Sequence, residues 1–541
     1  MPRNWFNRPL PLPKVQRSMQ DLHEDRLQTM RMSRLCPIGI QEALPNDIHM
    51  FSHDAFLRLA PLKYPILQKL NLNLASFFVP DRLVLGEDKV AELVASLEPS
   101  DKLIPKLKVS NDGIFDYPSL LFGANGLLDY FGIQADGVPG GVPVGGFVVI
   151  DNPIPIFQYV LILRDYYLDE QIDADLLSAA NTLLDAYMDV PLGGTLEIGA
   201  GIDPASDVEL AFQALVKPFH VRKYRDYFVA GLPSPQRGDD VYIMNPAHVL
   251  ASVAGDPGTD PAINIGIYAN AEGESKGPFN LGISMAEFGS DAVLGFDTTV
   301  RDILTKMAYQ RFKNQLNQFG TRYNEFLAGN FAVINQDVRL QRAQCIGRSK
   351  GVFQISEVIQ QSATESDSPL GSYAGRGVSA KRTRNFRYHV NEHGFIFHLC
   401  SVVPDQGYMS GAPRWFFKES GLDLALPQFN NVGEQSIYKG ELYYNPTNPE
   451  GVNKSDFAYI PRYSEYRTGR SYASAGMRKS PFTAWHLFEA FDDSVALNSE
   501  FLEAVDSDRI FNLVDPTSVQ NIVGVFHSYH AAFRPISNNP K

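Results

Sequence analysis

The chain has 541 residues but only three cysteines, Cys36, Cys345 and Cys400. Odd in number and far apart, they argue against a disulfide framework and against a paired-cysteine zinc site, so reduced, mostly buried thiols are expected. No stretch approaches the roughly 20 apolar residues of a membrane span, and no membrane insertion is expected. The opening MPRNWFNRPLPLPK carries arginine and proline where a secretory leader has its apolar core, which predicts a cytoplasmic product. A credible set of acid, base and nucleophile is missing too. Ser52-His53-Asp54 are sequence neighbours, whereas triad partners converge from separate elements. Gly137 to Gly146 is glycine-rich, but no Gly-Lys-Ser/Thr follows to make a phosphate loop. His389-Val390-Asn391-Glu392-His393 has the spacing of one class of zinc peptidases, which needs a helix to bring both imidazoles to one face. Phe386, Tyr388 and Val390 alternate before it, and Phe395, Phe397 and Leu399 after Gly394, so strand, turn and strand are predicted instead. No enzyme activity, metal or cofactor is expected.

What is present is charge, unevenly placed. The net charge is −13, yet Gly86 to Lys217 holds 21 acidic against 6 basic residues, and Arg301 to Lys350 holds 3 against 9. Acidic and basic surfaces are therefore separate. Residues 1–35 carry Arg3, Arg8, Lys14, Arg17, Arg26, Arg31 and Arg34 against Asp21, Glu24 and Asp25. With Pro9, Pro11 and Pro13 this reads as an extended basic arm, either solvated or lying on a phosphate backbone or a neighbouring subunit. Aromatic residues make up 11% of the chain, a level that suits core and interface packing.

From Val300 to Phe319 apolar residues recur at helical spacing, with Thr299 and Asp302 as a capping box and Gly320 as a stop. Helices are also predicted from Pro155 to Tyr167 and from Asp175 to Tyr187. Leu70, Leu72 and Leu74 alternate with Asn71 and Asn73 up to Pro80, predicting a half-buried strand. Strand character returns at Val221–Val229, Phe386–Leu399 and Glu434–Tyr444, whereas Gly86 to Gly146 reads as short pieces broken by glycine and proline. Short strands separated by long excursions point to a mainly β, Greek-key sandwich rather than an alternating α/β sheet.

Several motifs then carry a resemblance. A glutamine- and arginine-rich helix runs into Gly320-Thr321-Arg322-Tyr323-Asn324-Glu325 and then Asp337-Val338-Arg339-Leu340-Gln341-Arg342. In the same order come Phe77-Phe78-Val79-Pro80, Asp226-Tyr227-Phe228, Leu232-Pro233-Ser234-Pro235-Gln236, Glu392-His393-Gly394, Gly433-Glu434-Gln435 and Pro461-Arg462-Tyr463-Ser464-Glu465-Tyr466-Arg467. This set resembles the major capsid proteins of the Microviridae, the gokushovirus branch in particular. Asn46, Ser234 and Ala332 depart from the pattern, at local turns. The resemblance implies a structural protein with an eight-stranded antiparallel viral jelly-roll barrel and long helix- and loop-containing insertions. It implies a T=1 shell of identical subunits around circular single-stranded DNA, a small basic DNA-packaging protein, other minor virion proteins and a host receptor. The expected location is the virion, with assembly in host cytoplasm. A jelly-roll carbohydrate-binding protein or hydrolase-associated module is the rival reading; it would not share the ordered motif set.

The expected organisation is an arm at 1–35 and one capsid domain at 36–541, with a mixed helical and loop insertion at 86–220. A surface protrusion is expected at 238–291, its acidic Asp256, Asp260, Glu272 and Glu274 facing the host. Arg322, Arg339, Arg342, Arg462 and Arg467 sit among tyrosines and carboxylates, which suits subunit-interface or internal pairing. Arg376, Lys381, Arg382, Arg384 and Arg387 have no acid nearby in sequence and lean toward DNA phosphate, the first four as the leading candidates, with Arg3, Arg8, Lys14 and Arg17 of the arm second.

Overall fold

The computed structural model describes residues 17–95, 103–111, 117–123, 125–133, 146–199, 207–236, 300–319, 341–359, 373–430, 433–447, 451–505, 508–512 and 520–536. The chain forms two compact units, residues 234–336 and all the rest. In the smaller unit the predicted helix is present as Val300–Phe319. Leu304 and Met307 are exposed there, so these residues of the expected buried stripe face solvent.

The larger unit is built on two antiparallel sheets. One contains β1 (Ser18–Asp21), β2 (Glu24–Met30), β4 (Ile48–Leu59), β11 (Gln354–Ile359), β12 (Tyr373–Arg382), β13 (Phe386–His389) and β17 (Ile522–Arg534). The other contains β3 (Arg34–Ala43), β5 (Leu70–Pro80), β9 (Phe219–His220), β10 (Gln344–Val352) and β14 (Gly394–Pro404). The first runs β1-β17-β4-β12-β11, with β2 also on β17 and β13 also on β4; the second runs β10-β5-β14-β3-β9. Strands hundreds of residues apart lie side by side, as the long excursions predicted. The chain is mainly β, in sheets of seven and five strands that do not close into a barrel among the described residues. Two small sheets complete it: β6 (Lys106–Ser110), β7 (Phe147–Ile150) and β8 (Thr195–Ile198), then β15 (Glu434–Tyr438) with β16 (Asp456–Pro461).

Alternation explains how the sheets pack, because successive side chains leave opposite faces. Leu57, Leu72, Val402, Ile522 and Phe526 fill the space between the sheets, joined by Cys36 and Cys400. On the far side of the second sheet, Phe77, Val79, Phe397 and Leu399 are buried under the helices Ile154–Tyr166 and Ala174–Asp189, through Phe157, Val160, Leu183 and Tyr187. β5 is thus central and buried on both faces, not half-buried, because the 86–220 excursion folds back over it. Both of those helices match expectation within a residue or two.

Other expectations fail for local reasons. Val221–Val229 is not a strand: the β3 ladder ends at His220, Arg222 makes an isolated bridge to Glu503, and the Asp226 carboxylate caps the amides of Phe228 and Val229 at 3.0 and 2.9 Å, turning the chain. The second half of Glu434–Tyr444 is a 3-10 turn. Gly86–Gly146, expected as short pieces of a mixed helical and loop insertion, holds short helices at Glu87–Ala95, Tyr117–Phe122 and Leu127–Tyr130. Of the arm at 1–35, residues 1–16 lie outside the described residues, and most of 18–30 is strand paired to β17. Asn46, at a turn where the family resemblance called for glycine, has φ of +72°, a left-handed conformation that asparagine tolerates best after glycine. Strand, turn and strand is the observed form of Phe386–Pro404, so His389 and His393 do not share a helix face.

Candidate functional site

β4 spaces His49, Phe51 and His53 two apart, so all three point between the sheets. His398 comes from β14 and His530 from β17, and none of the four histidines is more than 4% exposed. His49 Nδ1 and His530 Nε2 are 2.8 Å apart, one donating to the other. His53 Nδ1 hydrogen-bonds Ser528 Oγ at 2.9 Å, and His398 Nδ1 hydrogen-bonds Ser76 Oγ at 2.8 Å. The rings of His53 and His398 are 4.2 Å apart, with Phe51 against both. The Nε2 atoms of His49, His53 and His398 have no hydrogen-bond partner among the described residues. Burial, reinforced at His49 by Arg534, pushes His49 and His53 down to about 4; burial and the neighbouring histidines push His530 to about 3 and His398 well below 6.5. Asp47 lies at the cluster's end, 3.3 Å from His49 Nε2 and 3.1 Å from Arg534 Nε. Sequence reasoning did not find this cluster. The one signal was His-x-Phe-x-His inside a strand; partners at 398 and 530 come only with the pairing.

A loop-rich lobe from Asp405 to Glu503 surrounds the β15–β16 hairpin. Its centre is Glu441, 2% exposed, which accepts from Arg414 Nη1 at 2.9 Å and from the Tyr438 amide at 3.1 Å. Arg414 also donates to the Ser436 carbonyl at 2.7 Å, and its guanidinium lies 4.1 Å from the Tyr438 ring centroid. Arg470 donates to the carbonyls of Glu441 and Ala412 at 2.7 and 3.1 Å. Burial raises the Glu441 carboxyl and Arg414 draws it back down. Around this buried hub the lobe turns large apolar side chains outward: Trp415 and Phe416 are both 63% exposed and stacked on each other, and Leu424, Tyr466 and Tyr472 are exposed as well.

Of the predicted interface arginines, Arg322 and Arg339 lie outside the described residues. Arg342 is half-buried just before β10. Arg462 and Arg467 fall on the lobe beside its exposed aromatics. Arg462 lies over Phe429 and Tyr463, at 5.7 and 5.6 Å, and Arg467 donates to Asn430 Oδ1 at 2.6 Å. Neither pairs with Glu465, which takes Lys418 at 3.1 Å instead, so among the described residues the two arginines have no carboxylate partner.

Of the predicted phosphate contacts, Arg376 and Arg382 project from the same face of β12 and Arg384 is exposed just beyond it, whereas Lys381 alternates to the other face. Arg17 bonds Asn46 Oδ1. Arg3, Arg8 and Lys14, like Asp256, Asp260, Glu272 and Glu274, lie outside the described residues.

Two packed antiparallel sheets, loops that outweigh the strands, an apolar outer lobe and histidines locked in the core define a building block of a larger shell, the viral capsid class of protein. The chain belongs to the phage capsid protein (F protein) family, which matches residues 10–538. It is 25% identical to capsid protein VP1 of Chlamydia phage 1, over 93% of this chain and 91% of that one. Against capsid protein VP1 of Bdellovibrio phage phiMH2K the identity is 26%, covering 94% and 92%. Against that of Spiroplasma virus 4 it is 23%, covering 97% and 95%. The Microviridae resemblance read from the motifs is thereby established. The protein is a major capsid subunit of a phage, a structural protein of the virion and not an enzyme.

Proposed function

We propose that the subunits close into a T=1 icosahedral shell, with a jelly-roll core, around circular single-stranded DNA. The observation that carries the assembly reading is the lobe from Asp405 to Glu503, where stacked Trp415 and Phe416 face water and Arg462 and Arg467 lie on aromatic and amide neighbours of the same lobe. Contiguous apolar surface rimmed by arginine is how subunit contacts are built. Expressed protein viewed by negative stain should show particles roughly 25 to 30 nm across, the size that ordinary packing density implies for such a shell. Arg462→Ala with Arg467→Ala should lower particle yield severalfold; particles at normal yield and heat stability would remove the two arginines from the interface. Arg322, Arg339 and Arg342 are proposed for the same role.

With a net charge of −13 the subunit cannot neutralise a genome, so a small basic packaging protein is proposed as a partner beside other minor virion proteins. Arg376, Lys381, Arg382 and Arg384, then Arg3, Arg8, Lys14 and Arg17, are proposed to touch the DNA. The insertion at 238–291 is proposed to meet the host receptor. Its twelve glycines and prolines between Asn245 and Gly295 suit an exposed loop, and Asp256, Asp260, Glu272 and Glu274 disfavour a place against DNA. Replacing residues 254–276 with a short Gly-Ser linker should leave assembly intact and abolish adsorption to host cells. Failure to form particles at all would assign the loop to the shell instead.

A further inference from the structure

The two sheets are covered unequally. Helices bury the outer face of the second sheet, but among the described residues nothing comparable covers the first. On that open face Leu27 is 84% exposed, Val523 55%, Tyr529 44% and Phe56 38%. Strand register sets these residues in cross-strand rows. Leu27, Val525, Phe56 and Ala380 form one; Thr29, Val523, Arg58 and Val378 form the next; Asp21, Ala531, Met50 and Arg387 form another. The face is thus an apolar and aromatic floor with arginines set into it.

Charge on this face is unbalanced in a particular way. Asp25 is engaged by His527 at 2.7 Å and Asp54 by Arg382 at 3.8 Å, and Asp21 accepts the His23 amide at 3.2 Å. Arg58, Arg376, Arg384 and Arg387, in contrast, have no carboxylate partner among the described residues. Arg58 lies over the Phe56 ring at 5.1 Å and Arg382 over the Tyr529 ring at 5.4 Å, so guanidinium groups and aromatic faces already sit together. Residues 1–16, which precede β1 in the chain, contain Arg3, Arg8 and Lys14 and no acid. In a chain of net charge −13, this concentration of unpaired guanidinium calls for an anion.

We propose that the open face of the first sheet is the genome-facing platform of the subunit, binding single-stranded DNA by stacking bases on Tyr529 and Phe56 and holding phosphates with Arg58, Arg376, Arg384 and Arg387. This rests on the capsid reading above and extends it: Arg58 and the two aromatics were not among the residues read from sequence. Single-strand binding combines a cationic surface that follows the backbone with aromatic side chains that accept any base. A second copy of this chain is the competing occupant, and it would need carboxylates to meet four unpaired arginines.

The test is fluorescence anisotropy of the full-length, unassembled subunit with a labelled oligothymidylate across a salt series. Arg58→Gln with Arg387→Gln should weaken binding at least tenfold at low salt. It should also flatten the dependence of log affinity on log salt by about 1.4, roughly 0.7 for each phosphate no longer neutralised. Tyr529→Ala should weaken binding about five- to tenfold at every salt concentration, and Tyr529→Phe should restore it because the stacking ring is kept. If the parent chain binds oligothymidylate and these variants bind equally well, the platform is wrong while the genome-binding reading stands. Absence of binding by the parent chain would overturn both. Variants that keep their DNA affinity but no longer form particles would assign the face to a subunit contact and overturn the proposal.

Discussion

Unassembled subunits lose stability as the pH falls from about 6.5 toward about 4, because His49, His53, His398 and His530 are buried neutral. In the unfolded chain a histidine takes up its proton near pH 6.5. In the folded chain burial holds His49 and His53 to about 4, His530 to about 3 and His398 well below 6.5. Within that window the unfolded state binds more protons, so stability rises with pH and is lost on acidification. Each such histidine contributes a slope of about 1.4 kcal/mol per pH unit once the pH is below its unfolded value. Carboxyls act in the opposite sense where burial raises them. Asp81, raised to about 6, gains a proton in the folded state first and offsets one histidine. Burial likewise raises Asp47, Glu441 and Glu489, against the pull of Arg534, Arg414 and Lys223, and they act in the same opposing sense as Asp81. The histidines act from about pH 6.5 downward, before Asp81 takes up its proton near 6, so they set the sign at the top of the window. Urea unfolding across this range should show a steep loss. His53→Asn, which can keep the hydrogen bond to Ser528 Oγ but cannot take up a proton, should reduce the slope by about one proton. A stability curve flat from pH 7 to 5 would contradict this account.

Glu441→Ala should destabilise the outer lobe by about 3 to 5 kcal/mol, the usual cost of removing one partner from a buried ion pair. Arg414 would be left with its charge largely buried and the Ser436 carbonyl as its remaining hydrogen-bond acceptor. The Tyr438 amide would also lose its acceptor. Because the pair's mutual attraction is largely offset by its desolvation, Glu441→Gln with Arg414→Met should recover most of the loss. Since this hub sits beneath Trp415 and Phe416, particle yield should fall with stability in the single variant and return in the double one. A single variant within about 0.5 kcal/mol of the parent in urea unfolding would show that the hub does not hold the lobe.

Much of the candidate surface was legible only in outline. Arg376, Arg382 and Arg384 stand out in the sequence because no acid lies near them, and the structure keeps them exposed. Lys381 looked equivalent, but strand alternation turns it to the opposite face. Arg387 belongs to the same acid-free run, but Arg58 gave no comparable signal, since it joins the open face only through the pairing of β4 with β17 and β12. In Arg462-Tyr463-Ser464-Glu465-Tyr466-Arg467 the adjacency of opposite charges suggested pairing either internally or across a subunit interface. Lys418, distant in sequence, takes the carboxylate.

Local order was determined by the sequence: the helices at Ile154–Tyr166, Ala174–Asp189 and Val300–Phe319, the strand up to Pro80, and the turn between His389 and Gly394. Each depends on interactions within a few residues, where periodicity, capping and backbone preference act directly. The ordered motifs likewise sufficed for the family, because they need no geometry to be read. Tertiary structure alone decided which strands are neighbours, and with that everything that depends on juxtaposition. It buried β5 on both faces, brought four histidines from three strands into one dry cluster, and left Arg58, Arg376, Arg384 and Arg387 by the first sheet's open face without a carboxylate partner among the described residues. The physical reason is the distance along the chain. Partners such as His49 and His530 meet only after long loops have closed, and their burial, protonation and pairing are properties of the packed sheets that no local stretch contains.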